Sequence, residues 1–206
     1  KNTISDLLWM RQNGLEGKIL RHAAKGGIVF GICGGYQMLG QSISDPTGAE
    51  QKGTVRGMGL LPVTTVFEQE KRRTRVSGRF AKVGGALAEM SGVCYEGYEI
   101  HMGETTLTKE AQSLFHITQR SEAPVDLMDG FINEKHNVFG TYCHGIFDND
   151  EIRRAVINAL RRRKGLEDLP IQFRYRKYKE SEFDRLANTV RKNFDMDAFY
   201  KILENE

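Results

Sequence analysis

Val29-Phe30-Gly31-Ile32-Cys33-Gly34-Gly35-Tyr36-Gln37-Met38-Leu39-Gly40 is the stretch on which the fold turns. A wholly apolar run over 28–32 leads into Gly-x-Cys-x-Gly, and an apolar, helix-like segment over 36–40 leaves it. Such a run suits a strand buried on both faces of a parallel sheet. Strand, sharp turn and helix make a nucleophile elbow, here with sulfur in place of a serine oxygen. The turn needs small neighbours, because glycine tolerates positive φ and close backbone approach. A helix N-terminus favours a thiolate, the reactive form of cysteine. Taken alone, the pattern also fits an inert buried cysteine in a β-turn-α connection.

Outward from the elbow, Ile4, Leu7 and Leu8 have helical spacing, with Asn2 or Thr3 as the cap. A second helix is predicted over 15–24, ending at Lys25-Gly26-Gly27. Residues 59–67 alternate and carry several β-branched side chains, so they read as a strand. Residues 68–79 are polar and cationic, and read as a loop or the bend of a hairpin. Further strands are predicted over 93–102, 115–118, 130–133 and 138–143, with His144 where the last one stops. Asp148-Asn149-Asp150 caps a helix predicted over 151–163. In the tail, Ser181-Glu182-Phe183-Asp184 reads as a capping box before the stripe Phe183, Leu186, Val190 and Phe194. A last helix is predicted over 196–203, starting at Asp195. Strands interleaved with helices predict one α/β domain with a central, mostly parallel sheet. Reactive groups in such sheets lie at the carboxyl ends of strands, where Cys33 and His144 both fall.

Composition narrows the function classes. Lys and Arg number 30 against 27 Asp and Glu, a net charge of +3, too weak a bias to argue for nucleic acid. The densest basic run, Arg161-Arg162-Arg163-Lys164, closes a predicted helix, where cations suit the dipole. No apolar stretch reaches the roughly 18 residues of a membrane span. Three cysteines, an odd number, do not suggest a disulfide framework, and a reducing cytoplasm is the expected compartment. No metal site is expected: Cys143 and His144 are adjacent, poor geometry for two ligands on one ion.

A thiolate nucleophile needs a base within hydrogen-bond reach. Among the histidines, His144 is the best partner, because Gly140-Thr141-Tyr142-Cys143 leads a strand straight to it and Gly145 follows. His101 is second, sharing one strand face with Glu99. His22 on a helix, His116 inside a short strand and His136 in a turn read as structural.

Three blocks carry a family resemblance: Gly31 to Gly40, Gly97-Tyr98-Glu99-Ile100-His101-Met102-Gly103, and Gly140-Thr141-Tyr142-Cys143-His144-Gly145-Ile146-Phe147-Asp148. They resemble signature blocks of the C-terminal class I, triad-type glutamine amidotransferase domain of the cobyric acid synthase family. The opening Lys1-Asn2-Thr3-Ile4-Ser5-Asp6-Leu7-Leu8-Trp9 and the tail Glu182-Phe183-Asp184-Arg185-Leu186-Ala187 resemble it too, so the likeness runs from Lys1 to about Leu203. The resemblance implies a flavodoxin-like three-layer α/β sandwich and hydrolysis of glutamine through a Cys33 thioester. His144 would serve as acid and base, and the Gly34 N–H as oxyanion donor. The ammonia would serve amidation of a corrinoid, adenosylcobyrinic acid a,c-diamide, in cobalamin biosynthesis. ATP and Mg for that step would bind an N-terminal synthetase domain, not these residues.

The resemblance also leaves questions. Many class I amidotransferases orient the histidine with a Glu two residues on, where this chain has Ile146. A Cys-His dyad, or another orienting group such as Glu99, is then expected. Glu99, His101 and Gln37 are weak candidates for contacting substrate or orienting the site. Lys71, Arg72, Arg73 and Arg75 are candidates for binding the glutamine α-carboxylate, or form a solvated loop. The family domain begins with further strands and a glycine loop upstream of the Lys-Asn-Thr block, so a domain over 1–206 is expected to be N-terminally incomplete. Three rivals remain: a sister amidotransferase acting on cobyrinic acid or a cell-wall precursor, a non-catalytic docking module, and an unrelated cysteine hydrolase.

Overall fold

A computed structural model describes residues 2–204, with Lys71 by its backbone alone. Two helices precede the elbow. In α1 (Thr3–Gln12) the Asn2 side chain accepts from the Ser5 N–H at 3.2 Å, while Ile4 and Leu7 are buried. After Gly14 in the left-handed region comes α2 (Leu15–Ala24), as the spacing predicts. β1 (Val29–Ile32) then runs through Cys33 into α3 (Gly34–Leu39).

Next come a short hairpin, β2 (Ser42–Asp45) and β3 (Gly53–Arg56), and the long strands β4 (Val63–Phe80) and β5 (Cys94–Leu107). β6 (Gln112–Arg120), β7 (Ala123–Ile132), β8 (Val138–Thr141) and the two-residue β9 (Cys143–His144) complete the sheet, and α4 (Asp150–Arg163) follows. The strand order is β1-β8-β7-β6-β4-β2-β3, with β5 pairing β4 and β9.

The sheet is mixed rather than mostly parallel. β1–β8 and β2–β4 are parallel, and the remaining pairs are antiparallel. The cause lies in residues 68–79, which are strand and not loop: β4 runs through them, paired to β5 on one edge and β6 on the other. Their side chains are polar on both faces, so no period-2 hydrophobic signal marks a segment held by its backbone ladder. β2 and β3 escape the sequence reading for a similar reason, since the four residues Ser42-Ile43-Ser44-Asp45 carry one apolar side chain.

Two cores sandwich β1. Ile28, Phe30 and Ile32 pack with Ile152, Ala155 and Ala159 of α4, whereas Val29 packs with Ile4, Leu7, Tyr36 and Leu39 of α1 and α3. Helices thus cover both faces of the parallel pair, which gives the α/β, three-layer arrangement. The loop after β2 is organised by Asp45, whose buried carboxylate accepts the N–H groups of Gly48, Ala49, Glu50 and Gln51 at 2.7–2.9 Å. Burial opposes its charge, but the four N–H donors hold its pKa below the ordinary carboxylate value. That loop carries Glu50 to the start of α1, where it accepts the Thr3 N–H at 2.5 Å.

Where one domain is expected, the contacts divide the chain into two compact units, the first ending at Leu169 and the second starting at Pro170. The second holds α5 (Tyr175–Asn193) and α6 (Met196–Glu204). Ser181 is no cap: α5 starts at Tyr175, and the Ser181 hydroxyl donates back to the Tyr178 carbonyl at 2.7 Å, a bond available to serine inside a helix. Asp195 does cap α6, accepting from the Ala198 N–H at 3.0 Å.

Two predictions follow from this packing. A Cβ at Gly31 would lie 2.8 Å from the Gly35 carbonyl and 2.6 Å from Leu39 Cδ1, whereas one at Gly35 meets nothing within 4 Å. Gly31→Ala is expected to cost about 1–3 kcal/mol in denaturant unfolding, and Gly35→Ala to cost nothing. Asp45 has a depressed native pKa, so its contribution is present above the unfolded value, about 3.9, and is lost as pH falls through the native one. Asp45→Asn should lower the melting temperature at neutral pH, and the gap to the unsubstituted protein should close in acid.

Candidate active site

Cys33 is the hinge of the elbow. Its φ of 55° and ψ of −112° lie in a region that side chains rarely adopt. Such backbone strain costs about 1–3 kcal/mol and persists only where its surroundings impose it. They do so here. The Cys33 N–H donates to the Thr141 carbonyl at 2.8 Å, extending the β1–β8 ladder by one residue, and the Cys33 carbonyl accepts from Gln37 N–H at 3.1 Å. Sγ lies 3.3 Å from the Ile100 carbonyl as a thiol donor, and the residue is only 3% exposed. Gly34 begins α3.

A cleft of about 400 Å³ opens over this turn, and Cys33, Gly34 and His144 all line it, with Tyr98 and Ile100 of β5. The Thr3 and Asp6 side of α1 closes another wall, with Asp6 exposed. Asp6 is the one charged side chain on the cleft lining among the described residues, apart from His144 when protonated.

His144 is delivered by a break in the strand. β8 stops at Thr141, Tyr142 turns, and β9 restarts antiparallel to β5, with Tyr98 opposite His144 and Glu99 opposite Cys143. Asp129 staples this break. Its carboxylate accepts from the Thr141 hydroxyl at 3.1 Å and from the N–H groups of Gly130 and Tyr142, while Thr141 Oγ1 accepts the Cys143 N–H at 2.9 Å. Burial raises the pKa of Asp129 against the pull of these donors.

Register separates the remaining candidates. Adjacent strand residues face opposite sides of a sheet, and directly opposed residues share a side. Tyr98 and Ile100 face the cleft, so Glu99 and His101 face away from it. Glu99 is 1% exposed and pairs with Arg120 at 3.1 Å. Burial, then the Asp129 charge, raises its pKa. His101 Nδ1 lies 3.1 Å from the Gly103 carbonyl, and its ring stacks on Tyr142 with centroids 3.6 Å apart. Gln37 donates to the Met102 carbonyl at 3.0 Å and to Tyr142 Oη at 3.1 Å, and accepts from the Thr3 hydroxyl at 3.3 Å. None of Glu99, His101 and Gln37 lines the cleft; they brace it from behind. Ile146 is buried in the core beside α4.

The cationic candidates sort the same way. Arg73 opposes Ile100 and Arg75 opposes Tyr98, which puts both on the cleft side of the sheet, one strand beyond its wall. Arg72 opposes His101 on the far side, where its charge acts on Glu99. The side chain of Lys71 lies outside the described residues.

His22 is exposed, His116 pairs with Asp126 at 2.6 Å, and His136 occupies a turn at φ 51°. Burial pushes the Cys143 thiol well above the ordinary range, which disfavours its thiolate. Among the described residues no group of three or more His, Cys, Asp or Glu could hold a metal ion, and no helix is long and apolar enough to cross a membrane.

Tyr98 and Asp6 are the site residues that sequence reasoning passed over. Alternation along β5 marks Tyr98, since whichever face Glu99 takes, Tyr98 takes the other. Asp6 lies three residues after Thr3 on one helix face, a spacing visible in the sequence without the cleft that gives it meaning.

Residues 1–152 match the model of the CobB/CobQ-like glutamine amidotransferase domain. Over 206 residues the chain is 49% identical to the cobyric acid synthase of Ruminiclostridium cellulolyticum, covering 99% of this chain and 40% of that protein. It is 43% identical over 205 residues to the cobyric acid synthase of Citrobacter koseri, again covering 40% of the relative. The chain therefore spans about 40% of the length of these relatives. A solved structure of PurLQS from Thermotoga maritima aligns with 71% of this chain and 68% of that one, at 17% identity and a TM-score of 0.48. The chain belongs to the family of CobB/CobQ-like glutamine amidotransferase domains.

Proposed function

We propose that this chain is the glutamine-hydrolysing domain of a cobyric acid synthase, feeding ammonia to an ATP- and Mg-dependent synthetase region of the same protein. The observation that carries the reading is Cys33, held at positive φ on a strand-to-helix turn, in one cleft with His144. The identity of 43–49% to proteins named cobyric acid synthase supports the choice of acceptor, a corrinoid carboxylate of adenosylcobyrinic acid a,c-diamide. A free-thiol nucleophile suits the reducing cytoplasm.

The chemistry follows from the groups in the cleft. The Cys33 thiolate attacks the side-chain amide carbon of glutamine, forming a C–S bond and a tetrahedral oxyanion. The Gly34 N–H, on the residue after the nucleophile, is the donor that meets the oxyanion. His144 gives its proton to the leaving nitrogen, the C–N bond breaks, and ammonia departs from a glutamyl thioester. His144 then takes a proton from water, whose oxygen attacks the thioester, and glutamate leaves as the thiol re-forms. Asp6 offers a carboxylate to the α-ammonium of glutamine, and Arg73 or Arg75 a guanidinium to its α-carboxylate.

Two outcomes are expected, both measured on the full-length protein that carries this chain. Cys33→Ser should abolish glutamine-dependent amidation while free ammonia still supports it; loss of both activities in a folded variant sinks the division of labour. Asp6→Asn should raise KM for glutamine about tenfold, some 1.4 kcal/mol, with kcat little changed. The same variant should lose its preference for glutamine over the analogue lacking the α-amino group, and an unaltered preference removes Asp6 from the substrate site.

A further inference from the structure

We infer that Tyr98 is a positioning residue of His144: its ring, parallel to the imidazole and offset over it, holds the plane in which His144 exchanges protons. The inference rests on the glutaminase reading of Cys33 and His144 and adds to it a group that restrains the base. Tyr98 and His144 are directly opposed in the β5–β9 pair. Their ring centroids lie 5.1 Å apart with 6° between the planes. The expected orienting position, 146, is filled by a buried isoleucine, and the Glu99 carboxylate lies on the other face of β5, paired with Arg120.

The stack suits the task on physical grounds. The ring nitrogens of an imidazole donate and accept within the ring plane, so a partner on the ring face restrains tilt without occupying either nitrogen. A carboxylate, by contrast, would occupy one of them. An aromatic pair of this kind contributes about 0.5–1.5 kcal/mol beyond its buried area. A ring face also attracts a cation, so it favours the imidazolium form that His144 passes through in each half-reaction.

The surroundings are shaped for that contact. A Cβ at Gly97 would collide with the His144 carbonyl and Cys143 Sγ, so glycine there is what lets β9 settle onto β5 beside Tyr98. Tyr98 itself is 45% exposed and lines the cleft, outside both hydrophobic cores. It is a large aromatic side chain that the fold does not need for burial.

The test uses Tyr98→Leu and Tyr98→Phe in the full-length protein, with glutamine hydrolysis and ammonia-dependent amidation measured side by side. Misplacement of a base by about 1 Å costs up to roughly 100-fold. Tyr98→Leu is expected to lower kcat for glutamine hydrolysis about 10- to 100-fold, with KM within about twofold and ammonia-dependent amidation unchanged. Tyr98→Phe keeps the stack and should restore kcat to within about twofold of the unsubstituted protein. The inference is overturned if Tyr98→Leu retains full kcat, if KM rises while kcat holds, or if Tyr98→Phe is as slow as Tyr98→Leu. Should Tyr98→Leu misfold by circular dichroism, Tyr98→Val, a β-branched replacement suited to a strand, replaces it in the comparison. If the unsubstituted protein shows no glutamine hydrolysis that Cys33→Ser removes, the glutaminase reading falls and the role of Tyr98 with it; a failure confined to the Tyr98 variants leaves that reading standing.

Discussion

β1 and β8 run parallel, from Val29 opposite Val138 to Ile32 opposite Thr141, and the Cys33 amide carries that ladder one step further. Parallel pairing brings two carboxyl ends to one edge of the sheet, although more than a hundred residues separate them in the chain. At that edge one strand must become a helix and the other must break. The first change generates the strained elbow at Cys33, and the second generates β9 and His144. Each depends on the shared ladder: without it Cys33 loses the bond that fixes its amide, and Asp129 has no fixed Thr141 hydroxyl to grip.

Behind this edge lies a layer of polar side chains that does no chemistry in the proposed cycle. Gln37 ties α1, α3 and β5 together through Thr3, Tyr142 and the Met102 carbonyl. Asp129 and Thr141 clamp the strand break, and Glu99 with Arg120 fills the space beside Cys143. Buried groups of this kind are costly unless their bonding is met, and here much of it is met by backbone groups at irregular points of the chain. That ties the geometry of the cleft to bonds that tolerate little displacement.

Much of this was legible from particular residues. Gly31 to Gly35 announced an elbow, and the apolar 28–32 run announced a strand covered on both faces; both hold. His144 near the end of a strand was readable from the run over 138–143, but the break after Thr141 that carries it onto β5 was not. The long β4 was not readable, because Glu68 to Arg79 places polar side chains on both faces and only hydrogen bonds to β5 and β6 reveal a strand. The same gap hid the antiparallel half of the sheet. Glu99, His101 and Gln37 drew attention as polar residues in signature blocks, but which side of a strand faces a cleft is a matter of register, and register is set by partners distant in sequence. Ser181 misled for a local reason, since a hydroxyl inside a helix can bond its own preceding turn as readily as it caps a new one.

The alternation in Tyr98-Glu99-Ile100-His101 turns one short block into a two-sided component, chemistry on one face and scaffolding on the other. Its information is therefore one of parity. Deleting a single residue between 94 and 97 would slide the block by one place, set a carboxylate where the phenol ring stacks, and press the aromatic ring against the His144 carbonyl and Cys143 Sγ, where Gly97 now sits. Removing two would preserve the sides but set a side chain in the place of Gly97, against the His144 carbonyl and Cys143 Sγ. An odd change of length in this segment exchanges the two faces, a fault that no substitution at any one position could reveal.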